Sequence, residues 1–445
     1  MVLDPATRQV STRTLAGGSP RRLLRLSPAG WHALHELQGG GADSRAARVL
    51  GRRLLDAGMA HPRPRAGDAR ERITVLIPAR DRLEQLEHCL SALDADTPVI
   101  VVDDGSEDAQ ALAELAARRR ARLIRRPLPG GPAAARNAAL ASATTELVAF
   151  LDSDCVARGD WLGALVGHFD DPLVAAVAPR VRPSPDRSVG LLGRYLASRS
   201  PLDMGGREAA VEPGHRVAYV PTAALLVRRG AIDRGFDQEL RYGEDVDFLW
   251  RLHDAGWRVR YAPDVEVHHD EPVTLRRALA RRFRYGTSAA ALSARHPRRL
   301  APVRLARAPA VAAVLVLARR PKAAAGLIAL SGLAFVRRLR SHGLPPAVGV
   351  RWFGQAALQS SVSLTRYAAT LGLPAALLMA RQTRKPALLV LLVLPALQEW
   401  SAGERELDPP RWTALALIDD AAYAAGVWWG CIRSREHRPL LPRFR

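Results

Sequence analysis

The run Val148-Ala-Phe-Leu-Asp-Ser-Asp-Cys155 constrains this chain more than any other stretch. An apolar segment ending in two carboxylates predicts a buried β-strand whose carboxyl end opens to solvent. Alternate strand residues share a face, so Asp152 and Asp154 could both reach one metal ion. A hard divalent cation, Mg²⁺ or Mn²⁺, takes oxygen ligands and completes its shell with substrate phosphates. Asp-Ser-Asp is also an ordinary capping and turn sequence, so the neighbouring segments must decide between the readings.

Upstream, Ile73-Thr-Val-Leu-Ile-Pro-Ala-Arg-Asp81 and Pro98-Val-Ile-Val-Val-Asp-Asp-Gly-Ser106 have the length and composition of strands buried on both faces of a parallel sheet. Between them Leu83, Leu86, Leu90 and Leu93 recur at helical spacing and predict a crossover helix. Polar residues gather at the carboxyl ends of these strands, where open α/β sheets bind ligands. Gly130-Gly-Pro-Ala-Ala-Ala-Arg-Asn137 opens a helix and places Arg136 in its first turns, near the end that attracts anions. Each piece has a plain alternative as a turn, a loop or a surface charge. Four in this order make coincidence a poor account.

Further on, Tyr242-Gly-Glu-Asp-Val-Asp-Phe-Leu-Trp-Arg-Leu252 begins a helix with Glu244, Asp245 and Asp247 in its first turn. Such acids complement the helix dipole, and one could also serve as a general base toward an acceptor hydroxyl. Ala262-Pro-Asp-Val-Glu-Val-His-His-Asp270 predicts a strand ending in two histidines, either of which could complete a metal site with Asp154.

From about Arg72 to Gly286 these motifs, in this order, resemble the family-2 inverting glycosyltransferases with a Rossmann-like nucleotide-sugar fold of GT-A type. The resemblance implies nucleotide-sugar binding by Pro78, Arg80, Asp81, Asp103 or Asp104, Arg136 and Asp152. It implies a metal, Mg²⁺ or Mn²⁺, on Asp154 and His269, with His268 as the alternative ligand. Asp245, beside Glu244, would be the base of a single displacement. Asp81 stands where the family often carries Asn. The processive Gln-x-x-Arg-Trp pattern is replaced by Arg281-Arg-Phe-Arg-Tyr-Gly286, which argues against long processive synthesis.

The 445 residues imply two or three domains. The net charge of +21 rests on arginine, since Lys322 and Lys385 are the only lysines. Aromatics make up 5%, and no basic run is interleaved with stacking residues, which disfavours nucleic acid as partner. An anionic nucleotide or an anionic membrane surface accounts for the charge better. Cys89, Cys155 and Cys431 are odd in number and far apart, as in a reduced cytoplasmic protein; no signal-peptide core follows Met1.

Residues 1–70 are expected to form a small winged-helix-like module. Its parts are a strand or turn near Ser19–Pro28 and helices over Ala29–Leu37 and Ala46–Ala57, closed by a Pro-rich linker. Such a module either grips an extended peptide or caps the catalytic domain. Residues 71–290 are expected to form the catalytic domain. Residues 291–445 are expected to be helical and membrane-prone: Ala308–Ala318, Ala323–Val336, Tyr367–Ala380 and Ala387–Leu397 are apolar, flanked by arginines, and shorter than the roughly 20 residues that cross a bilayer. A buried helical domain is the competing reading.

The whole arrangement resembles the mycofactocin-system glycosyltransferases of actinobacteria, with Gly17–Gly30 and Tyr219–Arg229 carrying the likeness. It implies transfer of glucose from UDP-glucose to a peptide-derived redox cofactor or its growing glucan. The arginine-flanked apolar segments place the expected site of action in the cytoplasm, at the inner face of the cell membrane. The alternatives are another nucleotide sugar placed on cell-envelope glycan or lipid, and a non-catalytic peptide-binding scaffold.

Overall fold

The computed structural model describes the chain except residues 69–70, 298, 302, 375–380, 382–386, 404–405 and 445. Contacts divide it into two compact units: residues 1–7, 17–22 and 27–274, and residues 8–16, 23–26 and 275–445.

The first sixty-one residues carry β1 (Val2–Leu3), β2 (Arg8–Ser11), β3 (Thr14–Gly17), β4 (Arg22–Arg25), α1 (Pro28–Gln38), α2 (Arg45–Asp56) and β5 (Ala60–His61). In the first unit β1 pairs antiparallel with β5. Ser27 and Ser44 cap the two helices by accepting from Gly30 N and Ala47 N. In the second unit β2 pairs antiparallel with β3.

The α/β expectation is met in the first unit by a nine-stranded mixed sheet. Its strands are β6 (Ile73–Ala79), β7 (Val99–Asp104), β8 (Arg122–Arg126), β9 (Leu147–Leu151), β10 (Cys155–Ala157), β11 (Val174–Pro183), β12 (Ala209–Ala210), β13 (Ala224–Arg228) and β14 (Arg258–His269). The order is β10-β14-β11-β13-β9-β6-β7-β8, with β12 on β14. The block β9-β6-β7-β8 is parallel and β13 joins it antiparallel. Both faces are covered, which is why the strands read as unbroken apolar runs.

On one face Val75, Ile77, Ala149 and Leu151 pack with Leu86 and Leu90 of α3 (Leu83–Ser91), Leu112 and Leu115 of α4 (Ala109–Arg118) and Leu165 of α6 (Trp161–Val166). On the other, Leu76, Val148 and Phe150 pack with Ala135 and Ala139 of α5 (Pro132–Ser142) and Phe248 and Leu252 of α8 (Glu244–Asp254). Period-two alternation along β6 and β9 thus puts α5 and α8 on one side of the sheet. This places Arg136 and the Glu244-Asp245 pair within reach of each other.

The second unit continues with α9 (Leu275–Arg295), α10 (Arg307–Leu317), α11 (Pro321–Ser341), α12 (Pro346–Ala369), α13 (Ala387–Ala402) and α14 (Pro409–Ser434), α7 being Gly190–Arg199 in the first. Helices α9 and α14 nearly touch through their backbones. A Cβ on Gly426 would lie 2.0 Å from the Phe283 carbonyl oxygen, so only glycine permits that approach. Arg282 Nε meets Asp419 Oδ1 at 2.9 Å across the same pair. The apolar segments expected at 308–318, 323–336 and 387–397 fall in helices. Of the one expected at 367–380, Tyr367–Ala369 close α12, and residues 375–380 lie outside the described residues. Among the described residues no helix is long and apolar enough to cross a membrane.

Phe150 is fully buried at the centre, edge-on to Phe236 at 5.1 Å and to Phe248 at 6.4 Å. Phe150→Ala is expected to destabilise the first unit by about 3–5 kcal/mol, measured by denaturant unfolding; a loss under about 1 kcal/mol would contradict this packing.

Candidate active site

All the residues singled out as catalytic, nucleotide-binding or metal-ligating lie in the first unit, at or near the carboxyl ends of β6, β7, β9 and β14 and at the amino ends of α5 and α8. Arg136 is at their centre, only 3% exposed. Its Nη2 donates to Asp152 Oδ1 at 2.7 Å and its Nη1 to Glu244 Oε1 at 2.8 Å. One guanidinium therefore ties the end of β9 to the start of α8. The Phe236 ring lies 5.5 Å from the guanidinium. The next residue, Asn137, clamps the Phe236 backbone through both amide atoms, at 2.8 and 2.7 Å.

The three acids of the first turn of α8 divide their work. Asp247 accepts from Arg251 Nε at 2.8 Å, an i,i+4 pair within the helix. Glu244 is held by Arg136. Asp245 remains partly accessible and accepts from Val246 N at 2.8 Å. Burial first, and then the adjacent Glu244 charge, push the Asp245 carboxyl up to about 7, against the pull of Arg136. A carboxylate poised there suits a general base near neutral pH.

The Asp-Ser-Asp reading needs one correction. The strand stops at Leu151, and a turn closed by Cys155 N on Asp152 O at 3.0 Å separates the two carboxylates. They do not share a strand face. Asp152 faces Arg136, whereas Asp154 pairs with Arg82 and lies 3.6 Å from His269 Nε2. The β10–β14 register, Cys155 opposite His269 and Val156 opposite His268, puts His269 beside Asp154. His268 Nε2 instead lies 3.8 Å from Glu266. An aspartate oxygen and an imidazole nitrogen suit Mn²⁺ or Mg²⁺ with phosphate oxygens filling the shell. Among the described residues no group of three or more His, Cys, Asp or Glu is arranged to hold a metal, so the donor's oxygens would have to supply the rest.

At the second strand end both carboxylates point into protein partners. Asp103 accepts from Ser106 N at 2.8 Å and pairs with Arg125. Asp104 accepts from Gly131 N at 2.7 Å and Gly130 N at 3.0 Å, and pairs with Arg126. Asp104 thereby fixes the turn that launches α5. The sequence reading missed Arg125 and Arg126; an acidic strand end followed by Arg-Arg at the end of the next parallel strand was the available signal. It also missed Arg82. Asp81 adopts φ +53°, the left-handed region that Asn and Asp tolerate best, so Asp in place of Asn preserves the turn. Its Oδ1 accepts from Glu107 N at 2.7 Å. Arg80 is exposed beside it, with Nε 3.3 Å from Asp81 Oδ2, and Pro78 lies within β6.

The raised Asp245 carboxyl has a consequence for stability. Between its ordinary value of 3.8 and about 7 the folded chain holds a proton that the unfolded chain releases, so stability falls as pH rises through that window. Asp245→Asn removes this term. The variant should unfold at a higher temperature than the parent at pH 8, with the gap closing towards pH 4; a gap independent of pH would refute the assignment.

Residues 74–236 match the family described as glycosyl transferase family 2. The chain is 40% identical to the pre-mycofactocin glycosyltransferase of Mycobacterium tuberculosis, over 97% of this chain and 94% of that protein. An N-acetylglucosaminyl-diphospho-decaprenol L-rhamnosyltransferase of the same organism is 36% identical over 26% of this chain and 40% of its own. Among solved structures, a mannosyltransferase from Pyrobaculum calidifontis, in complex with GDP-Man and Mn²⁺, aligns with 82% of this chain and 97% of its own at 20% identity and a TM-score of 0.42. The near-complete, 40% match places the chain in family 2 of the glycosyltransferases, among the pre-mycofactocin glycosyltransferases.

Proposed function

We propose that this chain transfers glucose from UDP-glucose, with inversion, to a peptide-derived redox cofactor or its growing β-glucan. The single observation that carries this reading is the full-length likeness to the pre-mycofactocin glycosyltransferase. The geometry supports the same chemistry. Asp245 takes the proton from the attacking acceptor hydroxyl. Arg136 holds Glu244 and Asp152, so that the base helix and the end of β9 keep a fixed separation. Asp103, Asp104 and Asp81 shape the turns on the nucleotide side. Asp154 and His269 would hold Mn²⁺ or Mg²⁺, which supplies positive charge against the leaving diphosphate when bound. The N-terminal seventy residues are assigned the acceptor peptide, as a winged-helix-like module, and the reaction is assigned to the cytoplasm.

Three measurements test this. With UDP-glucose and the acceptor peptide product, Asp245→Asn should keep nucleotide affinity and lose at least about a hundredfold in kcat. Loss of affinity in step with rate would give Asp245 a structural role instead. In the parent enzyme kcat/KM should fall on the acid side with an inflection near 7, since the base must be unprotonated and its carboxyl stands at about 7. An acid limb confined below pH 5 would contradict the assignment. For the metal, Asp154→Ala should abolish the calorimetric signal of Mn²⁺ binding in the presence of UDP while leaving the unfolding transition in place; an unchanged signal would remove Asp154 from the site.

A further inference from the structure

The charge of this chain is not spread along it. From Pro272 to Gln398 there are 127 residues without one Asp or Glu, carrying 21 Lys and Arg. The rest of the chain holds 44 basic and 44 acidic residues, so the entire net charge of +21 sits in this one segment. It runs from the edge of the second unit through α9, α10, α11 and α12 into α13.

Past α9, which packs on α14, helices α11 and α12 bury little of their apolar surface. The 21-residue helix α11 buries Ala324 and Leu339, and the 24-residue helix α12 Gly349 and Ala369. One face of α11 runs Lys322, Gly326, Leu330, Leu333, Arg337 and Arg340 at spacings of three and four, and every one of these residues is exposed, Leu330 at 68%. Its middle is aliphatic and its ends are cationic. On α12 Val350, Gly354 and Leu358 form a second exposed row beside Arg351, and Val311 and Val314 are exposed on α10. Contiguous exposed apolar rows rimmed by polar groups mark interaction surfaces.

We propose that the acid-free segment docks this protein on an anionic phospholipid surface, with the aliphatic rows entering the interface and the arginines on the headgroups. The match is one of charge and of polarity together. A lipid surface offers negative headgroups above a hydrocarbon layer, which is the partner of an apolar row with basic ends. A second copy of the same face would bring like charge against like charge. A nucleic acid would answer the arginines and leave Leu330, Leu333, Val350 and Leu358 in water. The helices that would do this lie along the interface and do not span it.

The test uses the full-length protein and sedimentation with vesicles of phosphatidylcholine alone or mixed with phosphatidylglycerol. Binding is expected on the mixed vesicles and not on phosphatidylcholine alone, weakened by salt but not abolished, because screening acts on the charges and spares the apolar burial. Replacing Arg337, Arg338 and Arg340 together by Gln should weaken binding on the order of a hundredfold, at roughly 1 kcal/mol per basic residue. A separate Arg319→Gln, Arg320→Gln and Lys322→Gln set should act alike. Leu330→Gln with Leu333→Gln should remove the salt-resistant part. Circular dichroism and the unfolding transition of each variant should match the parent, which keeps a folding defect apart from a docking defect. Equal binding to both vesicle types, no binding to either, binding by a folded Gln variant that matches the parent, stable dimers in place of vesicle binding, or duplex DNA displacing the vesicles would each overturn the proposal.

Discussion

The site depends on one buried cation, the Arg136 guanidinium set between Asp152 and Glu244. Two carboxylates on separate elements, one half-buried after β9 and one buried at the start of α8, face the same buried guanidinium. Arg136 makes their juxtaposition affordable in free energy and sets its distance. Removing one partner from such a buried pair typically costs about 3–5 kcal/mol, since the charges left behind stay desolvated. The same cation lowers the cost of ionising Asp245, which burial and Glu244 otherwise keep protonated. The geometry of the candidate site and its proton balance thus rest on the same residue.

The surroundings make that arrangement rigid. The helix carrying Arg136 starts at a turn whose two glycine amides are held by Asp104, itself clamped by Arg126 from the neighbouring parallel strand. Asn137 then pins Phe236, whose ring stacks on Phe248 of α8 at 4.6 Å. A chain of contacts therefore runs from the end of β7, through α5, to α8. Cys89 and Cys155 are buried close to Asp152 and Asp154, and burial pushes their thiols up, so they remain neutral filling beside the carboxylates.

Much of this was legible in the sequence, for a physical reason. Strands buried on both faces must be apolar throughout, so Ile73–Ala79, Val99–Asp104 and Leu147–Leu151 stand out, and any carboxylate at their ends is conspicuous. Helix α8 showed itself through its acidic first turn. What stayed hidden was pairing at a distance. Arg122-Leu-Ile-Arg-Arg126 looks like surface, yet as an edge strand it supplies the partners of Asp103 and Asp104 through register. The period-two argument placed Asp152 and Asp154 on one face, but the strand ended at Leu151, three residues too soon for it to apply. Helix α12 was obscured because Gln355, Gln359 and several serines dilute its apolar residues.

The central claim is a single displacement in which Asp245 activates the acceptor against an α-linked nucleotide sugar. The most direct measurement is the anomeric configuration of the first product, read from the proton coupling at the new glycosidic carbon by NMR after one turnover with UDP-glucose. The account predicts the large coupling of a β-linked glucoside. The small coupling of an α-linkage would mean retention, and with it a different role for Asp245.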